Sequence, residues 1–228
     1  MYEWLVYIFQ MILAVGALFI VFLLLMKNRS YLGNQLLATS FGFVAFYVTF
    51  IFLYKVLDSA ALMQYSIRIS FGSLIIAVLF MYLTIEVLTH STEVFKAHFK
   101  RYIVWIVLGV IIIGMMIFMD WVYVTGGDIS TLDYNMIVFG PFAGYVAFML
   151  IFSMIKLYWF GIRKAKGKPK LSLWSFFTGL TFMLLGLVIE GLGSAFEGYE
   201  VLFDILLFLS LSLGVLFMAL SLLRKKQS

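Results

Sequence analysis

Three ionisable residues interrupt runs that are otherwise apolar: Arg68 in QYSIRIS, Glu190 in VIEG and Asp204 in LFDI. Such groups are costly inside a bilayer and persist where they pair or perform a function. One arginine and two carboxylates at a common depth suit a structural ion pair or triad, or a pocket in which a ligand competes for Arg68. Snorkelling of Arg68 to the nearer surface is a third solution. Asp120 and Lys55 border the same region. The stretch IEGLGSAFEGYEVLFD (189–204) holds four carboxylates, three glycines and no basic residue. It lacks the alternation of a calcium-binding loop, so no metal is expected there.

Missing residue types remove other chemistries. Cysteine is absent, which excludes disulfides, iron–sulfur clusters, thiolate metal sites and cysteine nucleophiles. His90 and His98 flank Glu93 outside the apolar runs, so intramembrane bis-histidine haem ligation and a three-histidine zinc site are excluded; structural or solvated roles are expected. A retinal protein needs a Schiff-base lysine in its last span, and VLFDILLFLSLSLGVLFMALSLL (201–223) contains none. A rhomboid-type serine protease needs an intramembrane histidine, and no P-loop or GxGxxG is present. The chain is therefore expected to be neither an enzyme nor a cofactor carrier.

The elements that position these residues follow from composition. The 228 residues are 64% hydrophobic, 19% aromatic and only 12% charged, with a mean hydropathy of +1.10. That is far from a soluble domain, and one membrane domain over 1–228 is expected. Seven runs approach or exceed the roughly 20 residues needed to cross hydrocarbon as a helix: 4–26, 33–54, 64–88, 102–119, 137–158, 171–190 and 201–223. They are continuous, not alternating, so helices are preferred to a barrel. On the third, Arg68 and Glu86 share a face but lie roughly 27 Å apart along the axis, too far to pair. The stripe Arg68, Gly72, Ile75, Leu79, Tyr82, Glu86 is expected to face the bundle interior.

Charge sets the direction. Fourteen of 16 basic residues, from Lys27 and Arg29 through Lys96, Lys100, Arg101, Lys156 and the run RKAKGKPK to Arg224, Lys225 and Lys226, fall at alternate connections and at the C-terminal end. Asp120, Asp128, Asp133, Glu197 and Glu200 fall on the opposite side. The positive-inside rule places the N-terminus outside and the C-terminus in the cytoplasm. MYEWLVYIFQ has no basic residue before its apolar run, so the first helix is expected to be retained. Within RKAKGKPK, Arg163, Lys164, Lys166, Lys168 and Lys170 are expected to fix topology and to meet anionic lipid or a cytoplasmic partner. No aromatic residue is interleaved in the run, which argues against nucleic acid.

Gly140, Gly144 and Ala147 on the fifth span, and Gly179 and Gly186 on the sixth, form small-residue stripes suited to close packing within the chain or, less readily, between two copies. Pro141 is placed in the first turn of the fifth span, where its missing N–H costs little.

FGPFAGY (139–145), the basic turn after that span, the glycine-bearing sixth span and NQLLATSFGF (34–43) give the chain a resemblance. It resembles the seven-transmembrane sensory regions at the N-termini of some prokaryotic histidine kinases and related signalling proteins. The resemblance implies a signal-input module whose last helix drives a cytoplasmic output domain. Here the sequence ends at LLRKKQS with no kinase, cyclase or phosphodiesterase region, so output is expected from another chain. The expectation is thus an all-α, seven-helix integral membrane bundle in the plasma membrane, acting as a receptor-like sensor. Its partners would be membrane lipids, a cytoplasmic signalling protein and a second copy. A small-solute transporter, or a structural or lipid-binding subunit of a membrane complex, are the alternatives.

Overall fold

The computed structural model describes residues 3–57, 59–124, 132–193 and 199–224. Asp128, Glu197, Lys225 and Lys226, assigned above to their sides, lie outside the described residues. The apolar runs form α1 (Glu3–Lys27), α2 (Leu32–Val56), α3 (Ala60–His90), α5 (Ile103–Phe118), α6 (Met136–Lys156), α7 (Lys168–Gly193) and α8 (Glu200–Arg224); a short α4 (Thr92–Ala97) and a 3₁₀ turn (Phe99–Arg101) join α3 to α5. Seven helices are long and apolar enough to cross a membrane, the pattern of a multi-pass membrane protein. The fold is an all-α seven-helix bundle.

Side-chain bridges fix the up-and-down arrangement. Lys27 Nζ at the end of α1 donates to the Leu222 carbonyl near the end of α8. Glu86 near the end of α3 meets Lys156 at the end of α6 and Tyr102 just before α5. This end of the bundle carries the expected basic residues and is called the basic rim. At the opposite, acidic rim, Lys55 in the last turn of α2 meets Asp204 near the start of α8, and Arg68 near the start of α3 meets Asp120 just beyond α5.

The central element is α3. It packs against α2, α4, α5, α6 and the segment 122–124, and most of its apolar length is buried. The stripe Gly72, Ile75, Leu79, Tyr82, Glu86 faces inward, although the neighbouring faces are buried as well. Hydroxyls tie the pairs: Ser40 Oγ donates to the Ala77 carbonyl at 2.8 Å, and Ser70 Oγ to that of Tyr47 at 3.1 Å. Where no hydrophobic effect separates helix from lipid, such bonds and close packing hold helices together.

Helices α7 and α8 approach closely. A Cβ at Gly179 would stand 2.7 Å from the Gly214 carbonyl oxygen, and one at Gly214 would stand 3.0 Å from that of Gly179. Backbone meets backbone there, as the small residues on α7 suggested. The stripe on α6 behaves otherwise. Gly140 and Gly144 are exposed, and added Cβ atoms would meet nothing within 4 Å, so that stripe does not pack within the chain.

Two local details depart from the sequence reading. Asn135 caps α6 by accepting from Ile137 N at 3.0 Å, so the helix starts at Met136 and Pro141 is its sixth residue, not in its first turn. The Ile137 carbonyl consequently lacks its helical donor. Between α5 and α6, the strands β1 (Val122–Val124) and β2 (Leu132–Tyr134) pair antiparallel, with Val122 opposite Tyr134. Trp121 anchors this hairpin: it is fully buried, donates Nε1 to the Met116 carbonyl at 2.8 Å and packs on Phe71.

Candidate functional site

Arg68, Glu190 and Asp204 do not form one triad. Arg68 donates from Nη1 to the Ile117 carbonyl at 3.0 Å and from Nη2 to Asp120 Oδ1 at 3.1 Å. The negative end of the α5 dipole and a carboxylate just beyond it satisfy the guanidinium. Its Nε is buried without a partner among the described residues. Asp204 instead pairs with Lys55. The lysine lies in the last turn of α2, and both side chains of the pair are partly buried. Asp120 and Lys55, expected only to border the region, are thus the actual partners.

Glu190 is left over. It lies three residues before the end of α7, half-buried, within electrostatic range of Asp204 and Lys55. No hydrogen bond to its carboxylate occurs among the described residues. It borders a chamber of about 50 Å³ where α1, α2, α3, α6, α7 and α8 converge, walled by apolar side chains such as Leu13, Phe71, Phe142, Met183 and Leu207. Tyr47 lines the same space and feels both Glu190 and Asp204.

A second polar centre lies at the basic rim. Glu86, 2% exposed in its side chain, accepts from Lys156 Nζ at Oε1 and from the Tyr102 hydroxyl at Oε2, 3.1 Å away. His90 Nδ1 stands 3.4 Å from Oε2 and 2.9 Å from Thr89 Oγ1. Lys156 also donates to the Tyr82 hydroxyl at 3.2 Å, with its ammonium 4.9 Å from the Phe152 ring centre. These groups border a chamber of about 310 Å³ that reaches His98, Arg101 and Trp105. Sequence reasoning put Glu86 on the interior face but assigned Lys156 to a connection. The missed signal is depth: Glu86 lies four residues before the end of α3, and Lys156 is the last residue of α6.

A π-helical turn, Leu157–Ile162, follows Lys156. Residues seven apart on an α-helix share a face; the wider turn breaks that register between Lys156 and Arg163. Lys156 therefore faces the bundle while Arg163, Lys164, Lys166, Lys168 and Lys170 are all exposed. The last two belong to the first turn of α7, not to a loop. Aromatic rings precede the run and carry its first cations: Arg163 lies 4.7 Å from the Trp159 ring centre and Lys164 5.2 Å from that of Phe160. Rings and cations side by side are the composition of a membrane–water interface.

At the α2 N-terminus, outside the spans, Tyr31 packs over Gly33, where a Cβ would come within 2.6 Å of the ring, and burial raises its hydroxyl pKa. Among the described residues, no group of three or more His, Asp or Glu side chains is placed to hold a metal ion.

Fold and charge placement together define a multi-pass seven-helix bundle with an apolar chamber bordered by the carboxylate of Glu190 and a cation-rich chamber at the basic rim. Neither the family models nor the curated proteins compared with the chain match it.

Proposed function

We propose that the protein is a receptor-like membrane sensor of the plasma membrane, with its N-terminus outside and its basic rim in the cytoplasm. It would bind a small amphipathic ligand at the acidic rim and pass the change to a separate cytoplasmic signalling protein. The observation that carries this reading is Glu190, a carboxylate with no hydrogen bond among the described residues, at the edge of an apolar chamber formed by six helices. That chemistry favours a short apolar body ending in a cation or a hydrogen-bond donor. At about 50 Å³ the chamber is smaller than such a ligand, so binding has to part the helices. Binding then carries a conformational signal, because packed interiors do not deform continuously. Support for a route to the other rim comes from α3: Phe71 to Met81 wall the first chamber, and Tyr82, Glu86 and His90 wall the second.

The test uses the protein in lipid nanodiscs, with thermal unfolding followed in octylammonium, octanol or octanoate. Octylammonium is expected to raise the midpoint of the wild type most, and Glu190→Gln is expected to remove that advantage. Equal stabilisation by octanoate, or an undiminished response in Glu190→Gln, refutes the assignment. A solute transporter is the second reading, favoured by one observation: an ion pair stands at each end of the bundle, Lys55–Asp204 and Glu86–Lys156. Solute uptake into proteoliposomes, lost on neutralising either pair, would establish it instead.

A further inference from the structure

We infer that the chamber at the basic rim is a binding site for a phosphate-bearing anion. Its donors and acceptors do not balance. Lys156 spends two N–H groups on Glu86 and Tyr82 and keeps a third. Arg101 borders the chamber, and no side-chain hydrogen bond engages its guanidinium among the described residues. His98 Nδ1 lies 3.0 Å from the Val94 carbonyl and carries the proton there, so its Nε2 accepts while the ring is neutral and donates to an anion only when the ring is protonated. His90 commits Nδ1 to Thr89 and Glu86. Against the donors of Lys156 and Arg101 stands one carboxylate, Glu86, and both of its oxygens are already occupied.

The unmet demand is for acceptors bearing negative charge. Lys156 and Arg101 outweigh Glu86 by one positive charge with both histidines neutral, and by more when either is protonated. A guanidinium fork matches the oxygens of a phosphate in a bidentate manner. The volume of about 310 Å³ lies at the lower end of small-molecule sites, roughly 300–1,000 Å³. It accommodates a phosphate ester and not merely a bare ion. Trp105, Phe152 and Val94 give the chamber an apolar flank. A phosphate with an apolar substituent fits that flank, whether an anionic lipid headgroup, as in basic pockets between spanning helices, or a soluble phosphate ester. Ser91, which follows the chamber residue His90 in sequence, has φ +72° and ψ 159°, a conformation glycine favours; such strain concentrates near binding sites.

The test compares thermal unfolding in phosphatidylcholine nanodiscs with inorganic phosphate or chloride at matched ionic strength, and in nanodiscs that also contain phosphatidic acid. At least one phosphate source is expected to raise the midpoint. A response to inorganic phosphate assigns a soluble ligand, and a response to phosphatidic acid alone assigns a lipid headgroup. Arg101→Gln, at an exposed side chain, is expected to weaken the response about tenfold or more, the value of a charge-assisted bond. His98→Gln is expected to weaken it less, and Arg29→Gln, exposed and outside the chamber, to leave it unchanged. The inference is overturned if neither source stabilises the wild type, or if Arg29→Gln weakens the response as much as Arg101→Gln.

Discussion

Removing Lys156 while keeping Glu86 is expected to be among the most damaging single changes in the bundle. The side chain of Glu86 is 2% exposed and that of Lys156 is 19% exposed. In Lys156→Met the carboxylate keeps the Tyr102 hydroxyl and His90, but loses its full counter-charge. Stranding a buried charge in this way costs about 3–5 kcal/mol. The reverse change, Glu86→Gln, strands a longer and more accessible group. Lys156 is the last residue of α6, so its ammonium can turn toward the rim. A loss of about 1–2 kcal/mol is expected, mostly from weaker hydrogen bonds. The double variant Glu86→Gln/Lys156→Met contains neither charge, and replacing a whole buried pair by neutral groups of similar size is often close to neutral. It should therefore be more stable than Lys156→Met alone.

Reversible unfolding of the three variants and the wild type in mixed lipid–detergent micelles measures the cycle. A loss below about 1 kcal/mol for Lys156→Met, against the 3–5 kcal/mol argued from burial, would refute the buried pair. So would simple addition of the two single effects in the double variant.

Four further outcomes are expected. Gly179→Ala should cost about 1–3 kcal/mol by forcing α7 from α8, whereas Gly144→Ala should be neutral or slightly stabilising; unfolding midpoints compare the two. Asp120→Asn should change stability by less than about 1 kcal/mol, because the Asp120 side chain is 84% exposed; a larger loss by the same assay refutes that estimate. Ser91→Gly should raise stability by about 1 kcal/mol by relieving the left-handed backbone, and a fall in the midpoint counts against it. Reversing the charges of Arg163, Lys164, Lys166, Lys168 and Lys170 should remove any cytoplasmic protein that cross-links to the wild type; an unchanged cross-linking pattern on native pull-down rejects docking there.

The spans were legible because twenty-residue apolar runs leave the backbone one economical solution, the helix. The rims were legible because basic residues cluster at alternate connections. Pairing was not. Arg68, Glu190 and Asp204 share a depth, but depth does not say which helices are neighbours, and neighbour identity gave Arg68 to α5 and Asp204 to α2. Lys156 reads as one more cation of the basic connection until the π-helical turn separates its face from that of Arg163. The hairpin around Trp121 was hidden for a different reason: three-residue strands carry too little periodicity to register beside long apolar helices.

The ion pairs also impose an order on biogenesis. Arg68 precedes its partner Asp120 by 52 residues, Glu86 precedes Lys156 by 70, and Lys55 precedes Asp204 by 149. Since the chain leaves the ribosome from its N-terminus, each early charge enters the translocon before its partner has been made. α3 bears two of them, and a lone charge at mid-membrane costs about 2.5–3.5 kcal/mol on insertion scales. Their positions near the two ends of α3 reduce that burden. The helix is nevertheless not fully compensated until α6 has emerged, and Lys55 waits until α8. A nascent bundle lacking α6 to α8 thus carries unmatched charge at both rims, and one lacking α8 alone carries it only at Lys55.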